Sequence, residues 1–408
     1  VPALVTVAFT AVNDAPFLDL NGKAPGTGFA ATFTEEGHGV PVASENATIM
    51  DVDNATLSSL SFTIVNPLNG QADELLQVDS AAPSAALIPP ALSINFDAAT
   101  STLTASGVAG LAAYAAVLHS VVYVNMADEP LSPTREISVV ASDGLLDSAP
   151  VLAHVSIALV NDAPILGLGA NDTEPSARNF STTYTESTQP GAPLAASSSS
   201  LYLRDDDHDS LASAVVELLN APDGALEGLF FTPSSPFSGS VVGEGTHTLT
   251  ITANATLAQW REYLADATFV DASEDPLESP DRVLRVRVFD PAGAASAPAF
   301  VTVHVVAVND APFFAYSGAA SPTAQLSPTL NFTEDDAPLA LAPLGTVQDY
   351  DNTHLTRATF VLENIQDTSL VSQTEVLAVN TALAESLGIF VDFDRTGTLR
   401  LVGRATVA

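Results

Sequence analysis

Pairs of aspartates recur along this chain with the spacing Asp-x-Asp, followed at once by Asn or His and by Leu four residues after the second Asp. They are Asp51-Val52-Asp53-Asn54 to Leu57, Asp205-Asp206-Asp207-His208 to Leu211, and Asp349-Tyr350-Asp351-Asn352 to Leu355. A hard cation such as Ca²⁺ takes about six to eight oxygen ligands, and two carboxylates on one short loop supply part of that set. The spacing therefore predicts calcium ligands.

Two further acidic features recur in the same order around these pairs. One is a Thr-Glu pair before each Asp-x-Asp: Thr34-Glu35, Thr185-Glu186 and Thr333-Glu334. The other is an aspartate that ends an alternating apolar run, at Asp143 and Asp290. Carboxylates about 5 Å apart repel by roughly 3 kcal/mol per pair at an effective dielectric constant near 20, and a bound cation would remove that repulsion. Acids spread into water as turn caps would remove it too, so both interpretations stay open.

The acidic features belong to an internal repeat. The sequence Val12-Asn13-Asp14-Ala15-Pro16 returns at Val160 to Pro164 and at Val308 to Pro312, a step of 148 residues both times. A period of this size predicts tandem modules that each bury a core. We expect residues 1–16 to be the last strand of a preceding repeat, 17–164 and 165–312 to be whole repeats, and 313–408 to be a partial one. The chain is therefore expected to be a segment of a longer protein, with any signal peptide or anchor outside it.

Composition restricts the partners of the protein. Asp and Glu number 48 against 12 Lys and Arg, giving a formal net charge of -36, so nucleic acid and anionic membrane surfaces are poor partners and cations are good ones. The chain has no cysteine, which excludes disulfides and thiolate metal sites. A hydrophobic content of 47% with 27 prolines and 23 glycines is typical of a folded, turn-rich β protein.

The elements that must position the acids are mostly short strands. Leu60 to Val65 alternates as a half-buried strand does, and other alternating runs end at Asp143 and Asp290. The long apolar run Val108 to Val124 approaches the length of a membrane span. Its counterpart, 255–270, carries Arg261, Glu262 and Asp266, so membrane insertion is not expected.

A short helix followed by a strand is the better interpretation of this run. Apolar residues at helical spacing would face the core, namely Leu111, Tyr114 and Leu118 in the first repeat and Leu257, Trp260 and Leu264 in the second. Several short strands, Pro and Gly turns and one brief helix per module predict an all-β fold made of β-sandwiches.

Taken together, this order of features resembles the cadherin repeat. That family has a Glu in an early strand, an Asp-x-Asp loop, an Ala-x-Asp-x-Gly strand end and an Asn-Asp linker before Pro. Ala141-Ser142-Asp143-Gly144 through Val160-Asn161-Asp162-Ala163-Pro164 matches the latter part. The modules are most similar to the longer VNDAP-type cadherin-like repeats of microbial and algal surface proteins. The resemblance implies tandem Ig-like, cadherin-like β-sandwiches with one short helix each, arranged end to end as a rod.

The resemblance also implies Ca²⁺ between modules, with ligands from both neighbours and from the linker. For the junction at Pro16 these are Asn13, Asp14, Asp51, Asp53 and Asp143. For the junction at Pro164 they are Glu35, Asn161, Asp162, Asp205, Asp207 and Asp290. For the junction at Pro312 they are Glu186, Asn309, Asp310, Asp349 and Asp351.

The chain departs from the cadherin pattern in the linker itself. The Asp that cadherins usually carry two residues before the linker Asn is replaced by Ala11, Leu159 and Ala307, and the final linker Asn is replaced by Ala15, Ala163 and Ala311. Asp290 is followed by Pro291 instead of x-Gly. We therefore expect fewer ions per junction than in a vertebrate cadherin.

Other chemistry is not indicated. The run from Asp205 lacks the Gly and Glu placement of an EF-hand, and the chain has neither a phosphate-binding Gly loop nor a Gly-x-Ser-x-Gly elbow. His208 is better interpreted as a loop residue than as a transition-metal ligand. The acids recur in every module, whereas a catalytic site would occur once, so we do not expect an enzyme. Asn-x-Ser/Thr acceptors for N-glycosylation occur at Asn46, Asn54, Asn171, Asn179, Asn254 and Asn331.

These observations favour a structural segment of a long extracellular surface protein, with module junctions stiffened by calcium. A filament such as a flagellar hair (mastigoneme) is a specific candidate that rests on analogy. The expected partners are neighbouring repeats of the same chain, like chains in a filament or other surface proteins. The alternative is an adhesin that binds a carbohydrate or protein ligand through loops such as Ser197 to Asp209.

Overall fold

Alternation of apolar and polar residues sets the elements of this chain, because successive side chains of a strand point to opposite faces. The computed structural model describes residues 4–70, 72–169, 178–187, 189–195, 197–315, 329–333, 336–366, 375–394 and 397–407. The described residues fall into two compact units, one formed by Val1–Ala163 with Asp205–Asp209 and the other by Pro164–Arg204 with Ser210–Ala408.

Short strands dominate the first unit, with a single α-helix between two of them. In chain order the elements are β1 Phe17–Asp19, β2 Phe29–Thr34, β3 Val40–Pro41, β4 Thr48–Met50, β5 Thr56–Ile64, β6 Glu74–Val78, β7 Ser93–Asp97, β8 Thr102–Gly110, α1 Leu111–Leu118, β9 Val121–Asn125, β10 Arg135–Ser142 and β11 Val151–Ala158. Six strands form a sheet in the order β2-β11-β10-β5-β8-β7, and smaller sheets have the orders β3-β9-β6 and β1-β4. All pairs are antiparallel except β2 with β11, which is parallel.

The core of the first unit collects the inward residues of these strands. Leu60 and Phe62 of β5 are fully buried, and so is Tyr114 of α1. The rings of Phe33 and Tyr123 meet edge to face with centroids 5.7 Å apart. Burying one side chain of this kind stabilises a fold by about 1.5–3 kcal/mol, so the alternating pattern is enough to specify which face of each strand turns inward.

The second unit repeats this arrangement and then continues. Its elements are β12 Ile165–Gly167, β13 Phe180–Thr185, β14 Ala192–Pro193, β15 Tyr202–Arg204, β16 Ser210–Leu218, β17 Glu227–Phe231, β18 Ser240–Val242, β19 Thr248–Thr256, α2 Leu257–Ala265, β20 Ala267–Asp271, β21 Arg282–Phe289, β22 Ala299–Val306, β23 Phe313–Ala315, β24 Thr346–Gln348, β25 His354–Val361, α3 Thr381–Ser386, β26 Phe390–Asp394 and β27 Thr398–Thr406. The orders β13-β22-β21-β16-β19-β18, β14-β20-β17 and β12-β15 match those of the first unit. Beyond them lie β23-β24 and β25-β27-β26.

Helix α2 closes the core of the second unit. Trp260 is fully buried and its indole N–H donates to the main-chain oxygen of Leu211 at 2.9 Å. Leu264 is buried as well, while Leu257 is partly buried against the same core. The helix begins with a capping box in which Thr256 and Gln259 satisfy each other's main-chain N–H groups. The predicted short helix followed by a strand is confirmed here and at α1 with β9.

The architecture confirms the expected all-β fold of β-sandwich modules with one short helix each. Residues 4–16 precede β1 and form no strand, so their assignment to a preceding repeat stays a prediction, as do the other module boundaries. In the part of the chain that the structure describes, no helix is both long enough and apolar enough to cross a bilayer.

Candidate metal centre

Each Asp-x-Asp loop is held in the same local conformation by its first aspartate. Oδ1 of that residue accepts the main-chain N–H groups of the residues two and three positions later. The distances are 3.1 and 2.8 Å at Asp51, 3.1 and 2.8 Å at Asp205, and 3.2 and 2.8 Å at Asp349. These are Asx turns, which the short side chain of Asp forms with its own loop. The turn fixes the second aspartate of the pair relative to the first.

The second aspartate of each pair binds the linker. Oδ2 of Asp53 accepts the main-chain N–H of Asp14 at 3.1 Å. Within the first unit Asp207 accepts the N–H of Asp162 in the same way. In the second unit Asp351 accepts the N–H of Asp310. The structure therefore brings together the Asp-x-Asp and linker residues that the sequence predicts as one set at each of the three positions.

The glutamate of each described Thr-Glu pair also reaches a linker. Glu35 Oε2 accepts the main-chain N–H of Val160 at 2.8 Å, and Glu186 Oε2 accepts that of Val308 at 2.7 Å. Both glutamates lie at the ends of strands, β2 and β13, that pair in parallel with the strand leading into the linker. They are only 3% and 6% exposed, so these carboxyls are buried beside other acids.

Burial and like charge both raise the pKa of these two glutamates above the ordinary value of 4.5. For Glu35 the largest cause is desolvation, and Asp207 and Asp162 raise its pKa further. For Glu186 the largest cause is again desolvation, with Asp310, Asp351 and Glu274 adding to it. Desolvation likewise raises the pKa of Asp162 and Asp205. Two structurally equivalent places thus bring acids together in surroundings that disfavour negative charge.

Several buried carboxylate oxygens in these sets lack a hydrogen-bond donor. Among the described residues they are Glu35 Oε1, Asp51 Oδ2, Asp205 Oδ2 and Asp310 Oδ2. A buried polar atom without a partner costs about 1–3 kcal/mol, more when it is charged. Oxygen ligands are what Ca²⁺ takes, so the donor set fits the cation that the resemblance to cadherins implies.

Glu274 is a candidate ligand that the sequence reasoning did not select. Single carboxylate oxygens of Glu186, Glu274 and Asp310 lie within 4.8 Å of one another. Glu274 is exposed and lies in the loop between β20 and β21. A sequence signal existed, since Asp128-Glu129-Pro130 and Glu274-Asp275-Pro276 occupy matching loops in the two repeats. The loops became informative only once the fold placed one of them beside the linker.

At the first linker, amide groups accompany the acids. Asn13 Nδ2 donates to Asp143 Oδ2 at 2.7 Å, and Asn54 Nδ2 donates to Asn13 Oδ1 at 2.8 Å. The hydrogen bond from Asn13, followed by those from the main chain of Leu146 and Leu145, lowers the pKa of Asp143 below its ordinary 3.8. The same amide pair recurs in the second unit, where Asn352 Nδ2 donates to Asn309 Oδ1 at 2.9 Å.

Other predicted site residues are placed as follows. Asp290 lies in the second unit, is 1% exposed, and accepts the main-chain N–H groups of Gly293 and Ala294 at 2.6 and 2.8 Å through Oδ1. Asn161 Nδ2 donates to the main-chain oxygen of Asp162 at 3.0 Å. Glu334 lies outside the described residues.

The glycosylation acceptors differ in their accessibility. Asn46, Asn179, Asn254 and Asn331 are exposed. Asn54 is half-buried, and its amide nitrogen, the atom that a glycan would modify, is hydrogen-bonded within the acidic set. Asn171 lies outside the described residues. Glycosylation at all six sites stays a prediction.

No protein-family model and no curated protein matches the sequence. Solved structures do match it. The chain is similar to cadherin extracellular domains. Mouse cadherin-23 domains 22 to 24 are 12% identical over 97% of this chain and 90% of that one, with a TM-score of 0.32. Protocadherin gamma B7 domains 1 to 4 are 12% identical over 96% and 68%, with a TM-score of 0.31.

Protocadherin gamma B2 domains 3 to 6 are 14% identical over 96% of this chain and 65% of that one, with a TM-score of 0.32. The chain thus spans about two thirds of the length of these two protocadherin structures. Because the TM-scores are low, the fold assignment rests on the strand pairing and the two cores described above.

Proposed function

We propose that this chain is a non-enzymatic segment of an extracellular adhesion or structural repeat protein, in which Ca²⁺ binds the acidic sets at the linkers. The observation that carries the proposal is the repeated grouping of acids at each linker, with buried carboxylate oxygens that lack donors. It is clearest in the second unit, where Glu186, Glu274 and Asp310 converge within 4.8 Å. The similarity to cadherin extracellular domains agrees with this proposal and does not carry it.

A bound Ca²⁺ would supply positive charge that offsets repulsion among these carboxylates. Two unit charges about 5 Å apart repel by roughly 3 kcal/mol at an effective dielectric constant near 20, and by less where one of them is exposed as Glu274 is. The residues of the chain do the positioning. Glu186 is fixed by the N–H of Val308, and Asp351 by the N–H of Asp310. Each bond ties the linker to a strand or loop of a sandwich, so ligand binding would restrict the linker.

The test is a calorimetric calcium titration of the wild-type chain and of Glu186→Gln, together with melting in millimolar Ca²⁺ and after chelation. We expect Ca²⁺ to raise the melting temperature, because a ligand that binds only the folded state stabilises it. Glu186→Gln keeps the shape of the side chain and removes its charge. It should weaken binding in the second unit about tenfold or more.

Glu217→Gln is the matched control. Glu217 lies outside the acidic sets on β16, where it pairs with Arg285 at 2.7 Å, both side chains being about one third exposed. Its substitution should leave the calcium titration unchanged. If the wild-type chain takes up no Ca²⁺ at millimolar concentration, or if both variants bind as the wild type does, the acids are solvated turn caps and the proposal is wrong.

The setting that suits such a segment is a long surface protein or filament, with neighbouring repeats and like chains as its partners. A flagellar hair (mastigoneme) of an alga or other microbe is the specific setting we propose. A glycan pull-down with and without the loop around Ser197–Ser200 separates this role from that of an adhesin. Loss of glycan capture on deletion of that loop would favour the adhesin.

A further inference from the structure

A buried charge cluster lies away from the acidic sets, at the start of β21. Arg282 is fully buried and contacts three carboxylates. The N–O distances are 2.7 Å to Glu227, 2.6 Å to Asp223 and 3.3 Å to Asp271. Glu227 and Asp271 are 1% and 3% exposed, so the charges face one another with little water between them.

The first unit contains the same cluster with different charges. Arg135, the first residue of β10, bonds Glu74 Oε1 at 2.5 Å and also donates to Asn69 Oδ1. Asn125 Nδ2 lies 3.4 Å from Glu74 Oε1. Strand positions match between the units: the Glu opens β6 or β17, the Arg opens β10 or β21, and Asn125 or Asp271 ends β9 or β20.

Two carboxylates of the second unit therefore stand where the first unit has two amides. The first cluster pairs one guanidinium with one carboxylate and is neutral. The second has three carboxylates for one guanidinium and a formal charge of two minus if all are ionised. Isolated charge is costly to bury, so one of these acids has a physical reason to hold a proton.

The surroundings single out Asp271. Its Oδ1 accepts the N–H of Ser273 at 3.0 Å, and its main-chain oxygen accepts the hydroxyl of Tyr184 at 2.6 Å. The ionisable groups that face it are Asp223, Glu227, Arg282 and Tyr184. Desolvation, followed by repulsion from Asp223 and Glu227, raises the pKa of Asp271 from 3.8 to about 6. Burial raises the pKa of Tyr184 above 10, so that phenol does not titrate in this range.

A second observation points to the same place. Glu227 Oε2 is buried and has no hydrogen-bond donor among the described residues. Carboxylate oxygens of Asp223, Glu227 and Asp271 lie within 4.8 Å of one another, so a proton on one of them has acceptors close by. In the first unit both oxygens of Glu74 accept N–H groups, from Arg135, Leu68 and Asn69.

We propose that Asp271, held against Asp223 and Glu227, binds a proton at mildly acidic pH and gives the second unit a proton-dependent stability that the matching cluster of the first unit does not provide. The proton exchanges with solvent, and no bond between heavy atoms changes. This proposal does not depend on calcium at the linkers, because the cluster contains none of the proposed ligands.

The sign of the effect follows from the direction of the shift. The folded pKa lies above the unfolded one, so the contribution of Asp271 to stability is fully present below pH 3.8 and is lost as the pH rises through about 6. Asp271→Asn places the amide of the first unit in this position. In urea titrations followed by the fluorescence of Trp260, the single Trp of the chain, the variant serves as the reference in which position 271 does not titrate.

We expect the folding equilibrium constant of Asp271→Asn relative to wild type to rise by roughly thirtyfold between pH 4 and 6 and to level off above pH 7. A ratio that does not change with pH would overturn the proposal. Asn125→Asp tests the reverse change. Relative to wild type, the first unit of this variant should lose stability as the pH rises from 4 to 6, measured by the calorimetric transition of that unit.

A measurement on the wild-type chain keeps the proposal testable if a variant fails to fold. The amide resonance of Ser273, which bonds Asp271, should titrate with a midpoint near pH 6 by NMR. A midpoint at or below pH 4 would overturn the proposal. So would a pH dependence that disappears on chelation, because a metal ion would then neutralise the cluster in place of the proton.

Discussion

Replacing Arg282 by Met tests whether the buried guanidinium holds the second unit together. The substitution keeps much of the side-chain volume and removes the only cation within 4 Å of Glu227, Asp223 and Asp271 in the described structure. Breaking a buried ion pair by deleting one partner costs about 3–5 kcal/mol, because uncompensated charge is left behind. The loss of unfolding free energy should lie at the upper end of this range at pH 8. It should be smaller at pH 5, where Asp271 takes up a proton.

For a unit of this size, 1 kcal/mol lowers the melting temperature by about 2–4 °C, so Arg282→Met should lower it by roughly 6–20 °C. Trp260 is fully buried in the core of the second unit, and its fluorescence reports this transition selectively. Melting is followed at pH 8 in low salt and again at 0.5 M NaCl. A buried cluster should respond little to salt.

Arg285→Met is the control on the same strand. Arg285 pairs with Glu217 at the same 2.7 Å, but both side chains are about one third exposed. An exposed pair contributes about 0–1 kcal/mol, which corresponds to at most about 4 °C. If Arg282→Met and Arg285→Met lower the melting temperature equally, the buried cluster adds nothing beyond a surface pair and the reasoning is refuted.

Two further predictions follow from other contacts. Thr256→Ala removes the capping box of α2 and should lower the free energy of unfolding by about 1 kcal/mol, measured by urea denaturation. Thr252→Ala, on the exposed face of β19, is the control and should lower it by less. Equal losses would mean that the cap is not formed. Calcium affinity should fall as the pH is lowered, because Glu35 and Glu186 have raised pKa values and must lose their protons to bind a cation. Calcium titrations at pH 5 and pH 7.5 measure this. The same affinity at both pH values would contradict the prediction.

Much of the fold could be predicted from the sequence because it depends on local patterns. Alternation over Leu60 to Val65 identified β5, and helical spacing in Leu257, Trp260 and Leu264 identified α2 between two strands. The comparison of two repeats excluded a membrane span that one repeat alone would have suggested. Strand order and the parallel pairing of β2 with β11 depend on distant contacts and did not follow from these patterns.

The candidate site was predicted in part. Recurrence of Asp-x-Asp, Thr-Glu and Asn-Asp-Ala-Pro in a fixed order was enough to group the acids into three sets. Within each set, a hydrogen bond joins the Asp-x-Asp pair to the linker. Glu274 was missed because its place depends on how the loop after β20 folds. The role of Arg282 was missed because a charged residue at the start of a strand is ordinarily exposed.

The sequence by itself determined the repeat, the alternating strands, the excess of acid and the three acidic sets, since each of these is a property of residue type and spacing. Tertiary structure decided which acids are buried and which are solvated. That distinction separates the buried Glu186 from the partly exposed Glu217, although the two residues look alike along the chain. The physical reason is that the energy of a charge depends on its distance from water and from other charges, and only the fold fixes those distances.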